Sequence, residues 1–272
     1  MTVTSTTQFL DRPGGRIAYD VTGGDGPLVV CVPGMGDVRR TYRFLIPALA
    51  EAGYRVATMD LRGQGDSSVG WDDYRPETIG ADVLALIRHL GGPAIVIGHS
   101  FGPAPAIWAA AEAPDEITGI VLIAPFFTDV KLNPLLQLLA AVILRSARLW
   151  TLFYSSLYKL PKPADFRAYT RALRASFSEP GRLAALRALA AVSKAGANAR
   201  IPEVRCPVLI IMGTRDPDHS DPVAVAREGE RLFTAAAQVR VELVDGAGHY
   251  PHNEAPEITR AAILNFLGGV RA

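Results

Sequence analysis

The chain has 272 residues, 49% of them hydrophobic and 20% charged, with a formal net charge of +1. That composition is globular, long enough for one large domain or two small ones, and carries no global positive field of the kind that points to nucleic acid. The N-terminus, MTVTSTTQFL, lacks the basic start and long apolar run of a signal peptide, and the two cysteines, Cys31 and Cys206, lie in apolar runs and are too few to close a metal site. The sequence therefore reads as a reduced, cytoplasmic protein with no metal and no cofactor.

In chain order, QFLDRPGGRIAYDVTG reads as a hairpin turning at Gly14-Gly15. Short apolar runs follow at LVVCVP (28–33), RVATMDL (55–61), AIVIGHS (94–100), GIVLIAP (119–125), PVLIIMG (207–213) and VRVELVD (239–245). Runs this continuously apolar suit strands buried on both faces, as in a parallel sheet covered by helices. Helical patterns separate them: TYRFLIPALAEAG, ETIGADVLALIRHLGG, the stretch after Ser100, SDPVAVAREGERLFTAA and PEITRAAILNFL. Together they predict an α/β fold, a doubly wound, mostly parallel eight-stranded sheet.

Residues 127–203 break the alternation, with no strand candidate and with Leu, Ala and Arg at helical spacing. Turn signals at Leu160-Pro161 and Glu179-Pro180-Gly181 divide the interval into three or four helices. The expected organisation is a core of residues 1–126 and 204–272 with an all-helical insertion at 127–203. The insertion holds 12 basic and 4 acidic residues, a local +8 against −7 for the rest. Solvated helix faces account for such an excess; an acidic carrier protein or an anionic surface is the sharper expectation. Its apolar run, Leu132 to Leu144, is 13 residues long and falls short of the about 20 needed to cross a bilayer, so no transmembrane segment is expected.

The stretch IVIGHSFGPAPAIW contains Gly98-His99-Ser100-Phe101-Gly102, a G-x-S-x-G pentapeptide with a strand before it and a helix after it. A serine on so tight a turn is forced towards strained dihedrals, and flanking glycines let strand and helix pass closely. Pro103 and Pro105 fall in the first helical turn, where a missing N–H forfeits no bond. A serine hydroxyl is a poor nucleophile without a base, and the base needs an orienting acid. Downstream, LIIMGTRDPD places Asp216 just past a buried strand, and VELVDGAGHYPHNEAPE places His249 in a glycine-flanked turn after the last strand. Asp129, Asp218 and Asp221 compete with Asp216, and His252 with His249. Asp60, Arg62 and Asp66 read as loop-holding charges.

On VPGMGD, MDLRGQGDSS, GHSFG, LIIMGTRD and GAGHYPHNEAPE, the chain resembles the α/β-hydrolase fold family over nearly its whole length apart from the insertion. It looks most like the esterase, haloperoxidase-like and epoxide-hydrolase-like branch. The resemblance implies Ser100 as nucleophile, His249 as general base, Asp216 as orienter, and an oxyanion hole from the backbone N–H groups of Met35 and Phe101. It also implies that the insertion is a helical cap over the site. Two departures stand out: Pro33-Gly34 where the family has His-Gly, and Pro103 after the pentapeptide. The nucleophile position holds serine, which argues against the aspartate-dependent epoxide hydrolases and dehalogenases of this fold.

The insertion's aromatic residues and Leu135–Leu144 suggest an apolar pocket, with Leu135, Leu139, Trp150, Tyr154 and Tyr250 as candidate walls. A small lipophilic substrate is expected: a carboxylic ester, lactone or thioester. The same triad also serves carbon–carbon hydrolases and perhydrolases, and a slow-turnover ligand sensor is a further alternative. A thioesterase docking an acidic carrier at Arg167, Arg171 and Arg174 would suit the basic insertion.

Overall fold

A computed structural model of the chain describes residues 6–129 and 133–270. The first five residues of the stretch read for a signal peptide, Val130, Lys131 and Leu132 of the insertion, and Arg271 and Ala272 of the core lie outside the described residues. The sheet has eight strands in the order β1-β2-β4-β3-β5-β6-β7-β8. β1 (Gln8–Arg12) and β2 (Gly15–Thr22) form the expected hairpin, but the turn is Pro13-Gly14, because Arg12 pairs with Gly15. Gly14 supplies the positive φ, 92°, that the two-residue turn requires. The antiparallel β2 pairs with β4 (Arg55–Met59), and every later pairing is parallel.

β3 (Leu28–Val32), β5 (Ala94–His99), β6 (Ile117–Ile123) and β7 (Val208–Gly213) form the buried centre. β8 (Val239–Val244) is a half-exposed edge. Because side chains alternate across a strand, each apolar run feeds two cores at once. Val30, Val96, Leu122 and Ile210 face one side, while Cys31, Ile97, Val121 and Ile211 face the other. Burying each such aliphatic side chain contributes roughly 1.5–3 kcal/mol.

α1 (Ile46–Glu51) is shorter than the pattern TYRFLIPALAEAG predicts. Pro47 has no N–H and starts a new helix, leaving a separate 3-10 turn at Arg39–Tyr42. α2 (Pro76–His89) and α3 (Pro103–Glu112) cover the first face of the sheet. Between β6 and β7 lie α4 (Pro134–Ile143), α5 (Ala147–Ser156), α6 (Phe166–Phe177), α7 (Arg182–Ala191) and the single turn α8 (Ala195–Asn198). That is five helices among the described residues where three or four are expected. The extra break falls at Ser146, whose hydroxyl accepts from the Leu149 N–H and starts α5 without any proline or glycine signal. The chain closes with α9 (Pro222–Leu232), α10 (Pro251–Glu254) and α11 (Pro256–Val270). Among the described residues no single helix is long and apolar enough to cross a membrane. α4 and α5 would suffice together but turn by 118° between them.

A third core belongs to the insertion. Trp150, Tyr154, Tyr158, Phe166, Tyr169 and Phe177 pack together with Tyr250 from the loop after β8. The parallel strands all point their carboxyl ends at this aromatic layer, the edge at which open α/β sheets build sites.

Candidate active site

β5 ends in the pentapeptide, and Ser100 adopts φ 59°, the left-handed region that a non-glycine residue enters only under constraint. Two hydrogen bonds hold it there: Ser100 N–H to Ile123 O at 2.9 Å and Gly102 N–H to His99 O at 2.8 Å. The glycines are a matter of clearance. A Cβ on Gly98 would stand 2.4 Å from the Gly102 carbonyl carbon, one on Gly102 2.4 Å from Val32 O, and one on Gly34 2.9 Å from Ser100 Cβ. Pro103 and Pro105 occupy the start of α3, as the sequence predicts.

Asp216 sits three residues beyond β7 and His249 five beyond β8, both 2% exposed, while Ser100 is half-buried. His249 Nε2 lies 2.8 Å from Ser100 Oγ, and Nδ1 lies 2.7 Å from Asp216 Oδ2. A carboxylate only accepts, so Nδ1 carries a proton and Nε2 faces the serine. Burial opposes charging of His249, but Asp216 and Asp218 outweigh it and raise its pKa to about 9. Burial likewise opposes ionisation of Asp216, yet the His249 charge and hydrogen bond keep its pKa below the ordinary value. Asp218 Oδ2 stands 3.6 Å from Nε2 of His249, and burial raises its own pKa. Asp216, Asp218 and His249 bring three ligand-capable atoms within 4.8 Å of one another, the one such group among the described residues. Both imidazole nitrogens are already engaged with Asp216 and Ser100, so this donor set does not fit a resident ion.

Met35 follows β3 by three residues, and Phe101 follows the serine. Neither amide N–H donates to another group among the described residues. The Met35 loop is fixed from both sides. Gly36 N–H donates to Gln64 Oε1 at 3.1 Å, and Gly36 O accepts from Trp150 Nε1 at 2.8 Å. Asp37, fully buried, accepts from the hydroxyls of Tyr154 and Tyr169 and from Val38 N–H. Burial pushes the Asp37 pKa up to about 6 despite these donors.

The five candidate wall residues divide. Leu135 (74%) and Leu139 (53%) stand in solvent on α4, which buries none of its residues, so they do not form a closed wall. Trp150 and Tyr154 are buried in the insertion's aromatic core, and their N–H and O–H groups reach Gly36 O and Asp37 in the loop after β3. Tyr250 is buried between Tyr158, stacked at 4.9 Å, and His99 at 4.6 Å. A small cavity of about 120 Å³ lies beyond, lined by Phe126, Phe127, Thr128, His219, Val225 and Glu228. Phe126 connects it to the triad, with its ring 5.8 Å from that of His249.

Of the rival residues, Asp218 stays beside His249 and the others are engaged elsewhere. Asp129 accepts from Ser193 Oγ and Lys194 N–H, and Asp221 caps α9 through Ala224 N–H. His252 is stacked on Tyr42 and contacts Thr41 Oγ1 at 3.2 Å. His99, kept neutral by burial, places Nε2 2.8 Å from His249 O and orients the base loop. Asp60 binds Arg39, and Arg62 binds Asp82 at 2.6 and 2.9 Å, so both hold loops. Two positions escaped the sequence reading: Asp37, and Glu254, whose carboxylate accepts from the N–H groups of Lys159, Leu160, Gly248 and Tyr250. Glu254 lies within GAGHYPHNEAPE, so its distance from His249 was the available signal.

The sequence profile described as "Alpha/beta hydrolase family" matches residues 29–262. The chain belongs to the alpha/beta hydrolase family. It is similar to the 2-(acetamidomethylene)succinate hydrolase of Mesorhizobium japonicum, at 30% identity over 93% of this chain and 92% of that protein. It is also similar to the magnesium-chelatase 30 kDa subunit of Rhodobacter capsulatus, at 28% identity over 90% and 88%. Among solved structures, the bromoperoxidase from Bacillus anthracis shares the fold with a TM-score of 0.82 and 22% identity, over 97% of this chain and 100% of that one. As an enzyme of the alpha/beta hydrolase family, the chain carries the eight-stranded sheet its sequence predicts.

Proposed function

We propose that this family member is a serine hydrolase cleaving a carboxylic ester, lactone or thioester with an apolar substituent, through an acyl-enzyme on Ser100. What supports it most is the unbroken chain of contacts from Asp216 through His249 to Ser100, at 2.7 and 2.8 Å, on an elbow strained to φ 59°.

In the neutral imidazole, Nε2 takes the hydroxyl proton as Ser100 Oγ bonds to the carbonyl carbon. The carbonyl oxygen becomes an oxyanion facing the N–H groups of Met35 and Phe101, each such donor contributing roughly 2.7–4 kcal/mol to the barrier reduction. Collapse expels the alcohol or thiol, which leaves with the proton from Nε2, and Ser100 is left esterified. Water then repeats the attack, giving its proton to Nε2; the acid departs and Ser100 recovers its hydrogen. Asp216 holds the Nδ1 proton and stabilises the imidazolium without itself being protonated.

The apolar preference rests on Phe126 and the small cavity beyond it. Asp218, so near Nε2, disfavours a carboxylate on the substrate at that side, so the dicarboxylate in the Mesorhizobium relative's name is not carried over. The test is hydrolysis of p-nitrophenyl esters from acetyl to palmitoyl, beside Ser100→Ala. A burst of p-nitrophenol and a loss of roughly 10³-fold or more in the variant are expected. Wild-type rates in Ser100→Ala would overturn the proposal.

A further inference from the structure

α4 is apolar and unburied. Leu135, Leu138, Leu139 and Val142 recur at i, i+3, i+4 and i+7 and so share one face, and they are 74, 64, 53 and 48% exposed. Leu136 on α4 and Leu152 on α5, at 45 and 58%, add to the apolar surface. Single exposed leucines are ordinary, but a whole helical face of them marks something that covers it.

The charge along the segment that carries that face has one sign. No acidic residue occurs between Asp129 and Asp165. Arg145 and Arg148 are exposed at the α4–α5 junction, and Arg145 folds its guanidinium back onto Ala141 O at 2.7 Å, beside the last turn of α4. Neither arginine pairs with a carboxylate among the described residues. Lys159 and Lys162, both exposed, follow at the far end of α5.

We propose that α4 docks the protein on an anionic lipid surface, its leucine face entering the headgroup–acyl boundary and Arg145 and Arg148 meeting the lipid phosphates. A short apolar helix flanked by cations has the composition of an interfacial anchor. The alternative occupants fit less well. A stable protein–protein interface engages about 20–30 residues a side, whereas α4 and Leu152 offer a face of six large side chains. An acidic protein would satisfy the arginines but leave the leucines wanting an apolar groove. The proposal is independent of the chemistry at Ser100.

The test is co-sedimentation of the full chain with phosphatidylcholine vesicles, with and without phosphatidylglycerol. Binding is expected on the phosphatidylglycerol vesicles and weakens as salt is raised. Arg145→Gln/Arg148→Gln should weaken it on the order of thirtyfold, at about 1 kcal/mol per surface charge. Leu138→Gln/Val142→Gln should abolish it, while thermal melts report that each variant is folded. No binding to the anionic vesicles overturns the proposal, as does binding that survives the Leu138/Val142 change. A free chain that sediments as a dimer and is dissociated by that same change would assign the face to a second copy instead, and also overturns it.

Discussion

Asp218 Oδ2 lies 3.6 Å from Nε2 of His249, the same nitrogen that meets Ser100 Oγ at 2.8 Å. His249 therefore lies between two carboxylates, one on each ring nitrogen, and its pKa is held up at about 9; in the proposed mechanism this residue is the base. A base that must be neutral to accept a proton is then mostly protonated near pH 7. The expected kcat/KM for a neutral ester climbs as pH rises towards about 9. Asp218→Asn removes one charge, lowering the His249 pKa and moving the rising limb to lower pH by about one unit. A limb that stays in place in the variant would show that Asp218 does not act on the base.

Asp37 ties the Met35 loop, the proposed oxyanion loop, to α5 and α6 through Tyr154 and Tyr169. Tyr169→Phe leaves the triad untouched but slackens the Met35 amide, so kcat should fall about tenfold or more with little change in KM, since oxyanion contacts tighten only in the transition state. Equal kcat, measured on p-nitrophenyl acetate, would remove Asp37 and Tyr169 from any positioning role.

The same carboxylate gives a stability signature. Its folded pKa, about 6, lies above the ordinary 3.8, so its favourable contribution is fully present below about pH 4 and is lost as pH rises through 6. Asp37→Asn does not titrate. Urea melts should show the variant gaining on the wild type between pH 4 and 6, by on the order of 3 kcal/mol, and then running parallel above it. Parallel curves across the whole range would mean that Asp37 titrates normally.

Glu254 gathers four backbone N–H groups from two loops, two beside His249 and two at the end of α5. Glu254→Gln halves the acceptor oxygens and aims an amide N–H at donors. A loss of about 1–3 kcal/mol in urea unfolding is expected, together with a lower kcat because His249 is carried on the same loop. Unchanged unfolding would show that water replaces the carboxylate.

The central strands were legible because β3, β5, β6 and β7 are buried on both faces, so unbroken apolar runs had no competing helical reading. The Ser100 turn was legible for a steric reason: glycines at 98 and 102 are the residues whose Cβ atoms would strike backbone. The insertion was harder. The candidate pocket walls Leu135 and Leu139 face solvent instead. Trp150, Tyr154 and Tyr250 are candidate pocket walls by sequence, whereas their polar ends meet acceptors or neighbours that only the folded Met35 and His249 loops provide. Asp37 follows no spacing rule, since its partners Tyr154 and Tyr169 are 117 and 132 residues away.

Trp150 shows what this interlocking entails. A Cβ on Gly36 would fall 1.8 Å from its indole ring, and the indole N–H donates to the Gly36 carbonyl. Leu157 O meanwhile accepts from the His249 N–H at 3.0 Å. A chimaera that imports α5 and α6 from a cousin would thus import part of the geometry of the Met35 and His249 loops with them. One that exchanges Pro134–Ile143 swaps a module that buries no residue. A new docking surface can be grafted at α4 without disturbing the contacts among Ser100, His249 and Asp216.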